Sequence, residues 1–260
     1  MKKKIYLITL SIVTIICVIA GLCFHTVRFG LSFFDQLHLP FFSEEPDSDD
    51  DLEKMTASDV IQLDNFTSLF VEASVMDLDI EKGEQFTIRC SGSEKLFPSY
   101  EVKNGILTVR QTGKTHSIWG NNKCHVTITI PEKLSDAQIT SDVGDVDLEQ
   151  LEIDSLALTA DVGDIDISDC TFTSAELSAD VGDIDWEDSS FISLNVTNDV
   201  GKTIISSPDD LSGYYMDLQS DIGDVKVNAQ REHKSYLQNG DNSKKLVVKN
   251  SVGDVTVSFP

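Results

Sequence analysis

The chain has 260 residues, with 20 Lys and Arg against 44 Asp and Glu and a net charge of −24. Residues 1–34 hold four of the bases and no acid, so residues 35–260 carry 16 bases against 44 acids, a net −28. A body this acidic repels nucleic acid and anionic lipid surfaces, which excludes them as its partners. Its many aromatic and β-branched residues exclude an acidic disordered chain.

Residues 1–4 read as a cytoplasmic tail and residues 5–24 (IYLITLSIVTIICVIAGLCF) as a transmembrane helix. An uncharged run of this length matches the ~20 residues needed to cross a hydrocarbon core. Lys2, Lys3 and Lys4 precede it, so the positive-inside rule places the N-terminus in the cytoplasm and the C-terminal domain outside, as a single-pass cell-membrane protein. A cleaved signal peptide is the rival reading, but no small-x-small site is evident before Leu22, Cys23 and Phe24. Residues 25–54 come next as a juxtamembrane stem and acidic linker. Phe33, Phe34, Phe41 and Phe42 suit the membrane interface. Residues 44–53 (EEPDSDDDLE) hold seven acids in ten positions, the composition of a self-repelling spacer.

Residues 55–134 form a strand-rich section. FTIRC, ILTVR and HVTITIP read as strands, with turns at residues 103–105 and 119–122. This section is expected to widen or cap the repeats at residues 135–260. Trp119 to Asn122 read as a plain hairpin loop or as an exposed binding tip.

Residues 135–260 are governed by a repeat. It is clearest in SDVGDVDL (141–148), ADVGDIDI (160–167) and ADVGDIDW (179–186), whose glycines Gly144, Gly163 and Gly182 stand 19 residues apart. Gly201 comes after 19, Gly223 after 22 and Gly253 after 30, and a degenerate copy at residues 73–80 has Met76 in the glycine position. Within a unit, apolar residues alternate with polar ones, the period of a strand. The phase slips at the glycine, as expected where a chain turns a corner. A second corner is expected near Asp169 to Thr173, so each unit is two short strands and two bends. Stacking the units gives apolar inward columns: Ala137/Leu156/Ala175/Leu194, Ile139/Leu158/Leu177/Val196, Val143/Val162/Val181/Val200, Val146/Ile165/Ile184, Leu148/Ile167/Trp186 and Ile153/Phe172/Phe191. One unit cannot bury its own inner face, whereas a stack does so continuously. The fold class is therefore all-β, a β-solenoid of ~19-residue repeats preceded by one transmembrane helix. An antiparallel sandwich or barrel is the alternative. Residues 229–245 read as a polar loop inserted in one rung. The last rung, residues 255–260, reads as an uncapped edge open to self-association.

The unit (S/T/A)-D-V-G-D-(V/I)-(D/T)-(L/I/V), preceded by ITIPEKL at 128–134, resembles the bacterial putative-adhesin family of unknown function, including LiaG-like proteins, over roughly residues 60–260. The resemblance implies a β-solenoid and, for some members, a link to envelope stress responses. Met76 and the Lys202–Thr203 pair depart from the pattern.

The register gives three outward aspartate columns: Asp142/Asp161/Asp180/Asp199/Asp221, Asp145/Asp164/Asp183 with Asp224 and Asp254, and Asp147/Asp166/Asp185. Neighbouring rungs sit ~4.8 Å apart. Two unit charges at that distance repel by about 0.9 kcal/mol in bulk water and about 3.5 kcal/mol at an effective dielectric of 20. Lys202 interrupts one column and Lys226 ends another. The aspartates read either as turn and solubility chemistry or as a site for Ca2+ or another divalent cation, with Asp142, Asp145, Asp161, Asp164, Asp180 and Asp183 as ligands. Their spacing matches neither the EF-hand loop nor the Gly-Gly-x-Gly-x-Asp repeat. The glycines Gly144, Gly163, Gly182, Gly201, Gly223 and Gly253 are structural corners. The five histidines (His25, His38, His116, His125, His233) share no metal-ligand spacing. Cys90 and Cys124 read either as a bridge or as isolated buried thiols. No catalytic residues and no bound cofactor are assigned, because no nucleophile elbow, Walker loop or dinucleotide fingerprint is present.

The leading expectation is a non-enzymatic envelope protein presenting an acidic solenoid to envelope proteins, to wall polymer through bridging cations, or to another copy through the solenoid ends. An extracellular polysaccharide-active β-helix enzyme and an accessory modulator of a membrane sensor are the alternatives.

Overall fold

The computed structural model describes residues 53–54, 60–111 and 124–260. The expected transmembrane helix at 5–24, most of the stem and linker, and the turn at Trp119 lie outside the described residues. So do Cys17, Cys23, His25, His38 and His116. Among the described residues no helix is long and apolar enough to cross a membrane.

The described chain is all-β, in two 11-stranded sheets whose inner faces share one apolar core. Seven turns of chain each place one strand in each sheet. In chain order these rungs are Ser68–Ala73 with Asp77–Lys82, Leu134–Val143 with Val146–Glu149, Glu152–Val162 with Ile165–Ser168, Thr171–Val181 with Ile184–Glu187, Ser190–Val200 with Thr203–Ser206, Tyr214–Ile222 with Val225–Val227, and Asp241–Val252 with Val255–Ser258. All stack in parallel, so this part is solenoid-like, and the 19-residue period sets the register: Ile153 pairs Phe172, Leu158 pairs Leu177 and Ile165 pairs Ile184. The second corner falls at Asp169, whose backbone is left-handed (φ 53°), as it is at Gln150 (φ 57°) and Asp188 (φ 45°).

Five of the six expected inward columns are buried. The sixth is not. Val143, Val162 and Val181 are 45, 48 and 46% exposed. The cause is the corner itself. At Gly163 (φ +147°) a Cβ would lie 2.1 Å from the Gly144 carbonyl oxygen, so backbone fills the corner. The interior ends one column earlier, at Ser141, Ala160, Ala179, Asn198, Asn250 and Ser220, all buried. Polar members of that column bond the corner carbonyls: Asn198 Nδ2 donates to Gly182 O (3.0 Å), Asn250 Nδ2 to Gly201 O (3.0 Å) and Ser220 Oγ to Gly253 O (2.7 Å). No room remains inside for a valine.

The stack does not follow chain order at either end. Asp241–Val252 and Val255–Ser258 slot between the fifth and sixth rungs, pairing Ser190–Val200 on one side and Tyr214–Ile222 on the other. The expected open edge at residues 255–260 is therefore an interior rung. The expected loop at 229–245 instead supplies two short antiparallel strands, Gln230–Arg231 and Ser235–Gln238, that cover the true end. At the N-terminal end, Ile106–Arg110 and Cys124–Ile130 stack outside the first rung, and antiparallel Ser99–Lys103 and Thr87–Gly92 close them. Antiparallel caps at both ends remove long open parallel edges, the standing aggregation hazard of a stack.

Candidate functional site

The repeat builds its surface from the glycine corner outward. Each corner glycine lies against the carbonyl of the corner in the adjacent rung: Gly144 on Met76, Gly163 on Gly144, Gly182 on Gly163, Gly201 on Gly182, Gly253 on Gly201 and Gly223 on Gly253. This close approach sets the aspartate next after the glycine. Asp145 Oδ1 accepts the Asp164 N–H (2.9 Å), Asp164 Oδ1 the Asp183 N–H (2.7 Å), and Asp183 Oδ1 the Lys202 N–H (2.7 Å). Asp254 Oδ1 accepts the Asp224 N–H (2.9 Å) and Asp77 Oδ1 the Asp145 N–H (3.3 Å). A carboxylate on a backbone N–H is a charge-assisted bond, so this column answers its own repulsion. Near the C-terminal end bases join in: Lys226 Nζ lies 3.1 Å from Asp254 and Arg231 2.7 Å from Asp224.

The Asp142 column runs beside it. Burial, then Asp142, raises Asp161 above the ordinary carboxylate range. Burial, then Asp161 and Asp199, raises Asp180. Ser251 stands between Asp199 and Asp221, because its rung is inserted there, and donates to Asp199 (3.2 Å). Among the described residues no group of three or more His, Cys, Asp or Glu side chains is placed to hold a metal ion. The six expected cation ligands thus form two parallel files.

The third column covers the outer face of the shorter-stranded sheet. Asp79, Asp147, Asp166 and Asp185 stand in register on four successive rungs. Burial, reinforced by Asp166 and Asp79, pushes Asp147 up to about 6. Burial, then Asp185, raises Asp166, and burial, then Asp183, raises Asp185. Asp79, Asp147 and Asp166, with Glu81, Glu149 and Ser168, ring a hollow of about 240 Å³. Asp79 extends the column beyond what the repeat alone indicated. It meets His125 Nε2 at 2.9 Å, a partner that the spacing of histidines could not reveal.

The opposite corner carries a groove of about 420 Å³ that no motif announced. It is bordered by Lys133, Glu152 and Asp154 on one side and by Asp209, Asp210 and Lys244 on the other. The only sequence trace is the lengthened spacing from Gly201 to Gly223 and Gly253, which marks the detour through Asp209 and the inserted rung. Four of its charges have partners. Lys133 binds Asp154 (2.5 Å), Asp210 accepts the Ser212 N–H (2.8 Å), and Lys244 lies over the Tyr214 ring (5.6 Å). The Lys133 hydrogen bond holds Asp154 below the usual carboxylate range, and the Ser212 N–H does the same for Asp210.

No curated protein matches the chain significantly. Among solved structures, a putative cell adhesion protein from Clostridium sporogenes is 16% identical, with 78% of this chain and 98% of that one covered and a TM-score of 0.41. A putative adhesin from Bacteroides fragilis is 17% identical, covering 76% and 95%, with a TM-score of 0.43. A putative lipid binding protein from Parabacteroides distasonis is 13% identical, covering 78% and 95%, with a TM-score of 0.31. Residues 66–236 match Toastrack DUF4097, which takes in the first six rungs in chain order and ends within Ser235–Gln238. The chain belongs to the Toastrack DUF4097 family.

Proposed function

We propose that this chain is a non-enzymatic cell-envelope protein, held by a membrane helix at residues 5–24, whose acidic solenoid binds a cationic partner in adhesion or scaffolding. The observation that carries this reading is the Asp79/Asp147/Asp166/Asp185 column. It concentrates charge on an outer face, and burial with repulsion from neighbouring aspartates in this column and the next raises three of its members. A cationic group laid along that face relieves the repulsion, so binding is strongest where the charge is least compensated. The partner class is a lysine- or arginine-rich segment of an envelope protein, or a wall polymer bridged by divalent cations. The same face serves an accessory of a membrane sensor in an envelope stress response.

The test uses the full chain in lipid nanodiscs, with a lysine-rich peptide, wall fragments and wall fragments plus calcium as probes. Replacing Asp147, Asp166 and Asp185 with Asn should weaken binding at least tenfold, and replacing Asp209 and Asp210 with Asn should leave it unchanged. Loss in the groove variant alone would move the site to the groove. Hydrolysis of the wall fragments would restore the polysaccharide-active alternative.

A further inference from the structure

We propose that Cys90 and Cys124 are a disulfide-forming pair that fastens the N-terminal cap to the solenoid. The two sit on neighbouring antiparallel strands, Thr87–Gly92 and Cys124–Ile130. The register pairs Cys90 with Val126 and Gly92 with Cys124, which makes the cysteines diagonal neighbours on the inner face. Both are buried, and their sulfurs face each other at 3.6 Å. Cys170 supplies the contrast. It is also buried, but its thiol donates to Ser168 O (3.1 Å) and accepts the Leu151 N–H (3.3 Å) inside the second corner, where it plays the part Ser189 plays one rung on. One cysteine completes a corner, and the other two complete each other.

The chemistry is thiol–disulfide exchange with a small-molecule disulfide or a protein dithiol oxidase as oxidant. The hydrogen bond from Cys90 lowers Cys124 and, with burial, raises Cys90, so Cys124 is the first thiolate. With oxidised glutathione, the Cys124 sulfur attacks one glutathione sulfur and the other leaves as a thiolate. Cys90, losing its proton, then attacks the Cys124 sulfur and expels the second glutathione. Two protein thiols are oxidised by two electrons and one glutathione disulfide is reduced to two thiols. Access comes from the edge. Among the described residues, Thr87–Gly92 is the second strand from the sheet edge, and its outer neighbour Val60–Gln62 pairs with residues 87–89. A diagonal pair has Cα atoms ~7–8 Å apart, and a disulfide spans up to ~6.8 Å, so closure draws the cap strand inward by about 1 Å. The bond joins the two ends of residues 90–124 and so encloses Ser99–Lys103 and Ile106–Arg110.

The full chain, purified reduced, is treated with oxidised glutathione without denaturant and digested with trypsin. Cleavage after Arg89, Lys95, Lys123 and Lys133 places each cysteine in its own peptide, 90–95 and 124–133. The expected product is these two peptides joined, in most molecules, two hydrogens lighter than their sum, and unchanged in Cys170→Ser. Hydrogen exchange at Ser91, Gly92 and Cys124 should slow at least tenfold on oxidation, and this slowing should vanish in Cys90→Ala. Glutathione retained on both cysteines, linkage of either to Cys170, or joining only in urea would overturn the assignment.

Discussion

Asp164 and Asp166 are two residues apart, repeat with the same period and stack at the same rung spacing, yet they live differently. Asp164 comes directly after the corner glycine, and its carboxylate accepts the N–H of Asp183 in the next rung (2.7 Å). Asp166 sits mid-strand, where backbone N–H groups are already spent on the sheet ladder, and burial with Asp185 raises it. The first column is architecture, and the second is stored repulsion. A ladder of like charges is tolerable where the backbone supplies donors. Where it does not, the charge is available to a ligand.

The largest effect should come from removing what makes the first column. Gly163→Ala places a methyl 2.1 Å from a backbone carbonyl, with left-handed backbone besides, and should cost about 3 kcal/mol or more in urea unfolding. Gly213→Ala, with nothing within 4 Å, should stay within about 0.5 kcal/mol. Next, Asp164→Ala removes a charge-assisted bond and should cost about 1–2 kcal/mol, whereas Asp166→Ala removes a repelled charge and should be neutral or stabilising at pH 7.

The second column also has a pH signature. Asp147 is raised in the folded state, so the fold binds its proton more tightly than the unfolded chain does. Its contribution is fully present below the ordinary carboxylate range and is lost as pH rises to about 6. Melting temperature should therefore fall by a few degrees between pH 4 and pH 6.5, and Asp147→Asn should flatten that slope. The smallest effect is ionic. Sodium chloride at ~0.5 M should raise the melting temperature of the native chain at pH 7.5 more than that of the Asp147/Asp166/Asp185→Asn triple variant.

Much of this was legible in the repeat. Gly144, Gly163 and Gly182 announced corners, and alternation around Leu156 and Leu158 announced the core, because a stack forces identical positions into identical environments. Val162 misled, since alternation carries no record of how far the interior reaches, and a corner filled by backbone ends it at Ala160. Interleaving of the last rung was also hidden. Pairing along a solenoid depends on which neighbour a strand meets, and NSVGDVTV is equally compatible with any place in the stack. The aspartate columns were visible, but their unequal fates were not. Whether a carboxylate finds an N–H is decided by the close approach of Gly163 to Gly144 in three dimensions. His125 against Asp79 and Cys90 against Cys124 arise from pairings at the N-terminal cap, where no repeat guides the eye.

The most direct measurement is the thermal unfolding of Asp164→Ala and Asp166→Ala side by side at pH 7. The midpoint should fall in the first and stay unchanged or rise in the second. Equal losses in both would contradict this, by showing that the two columns hold the stack in the same way.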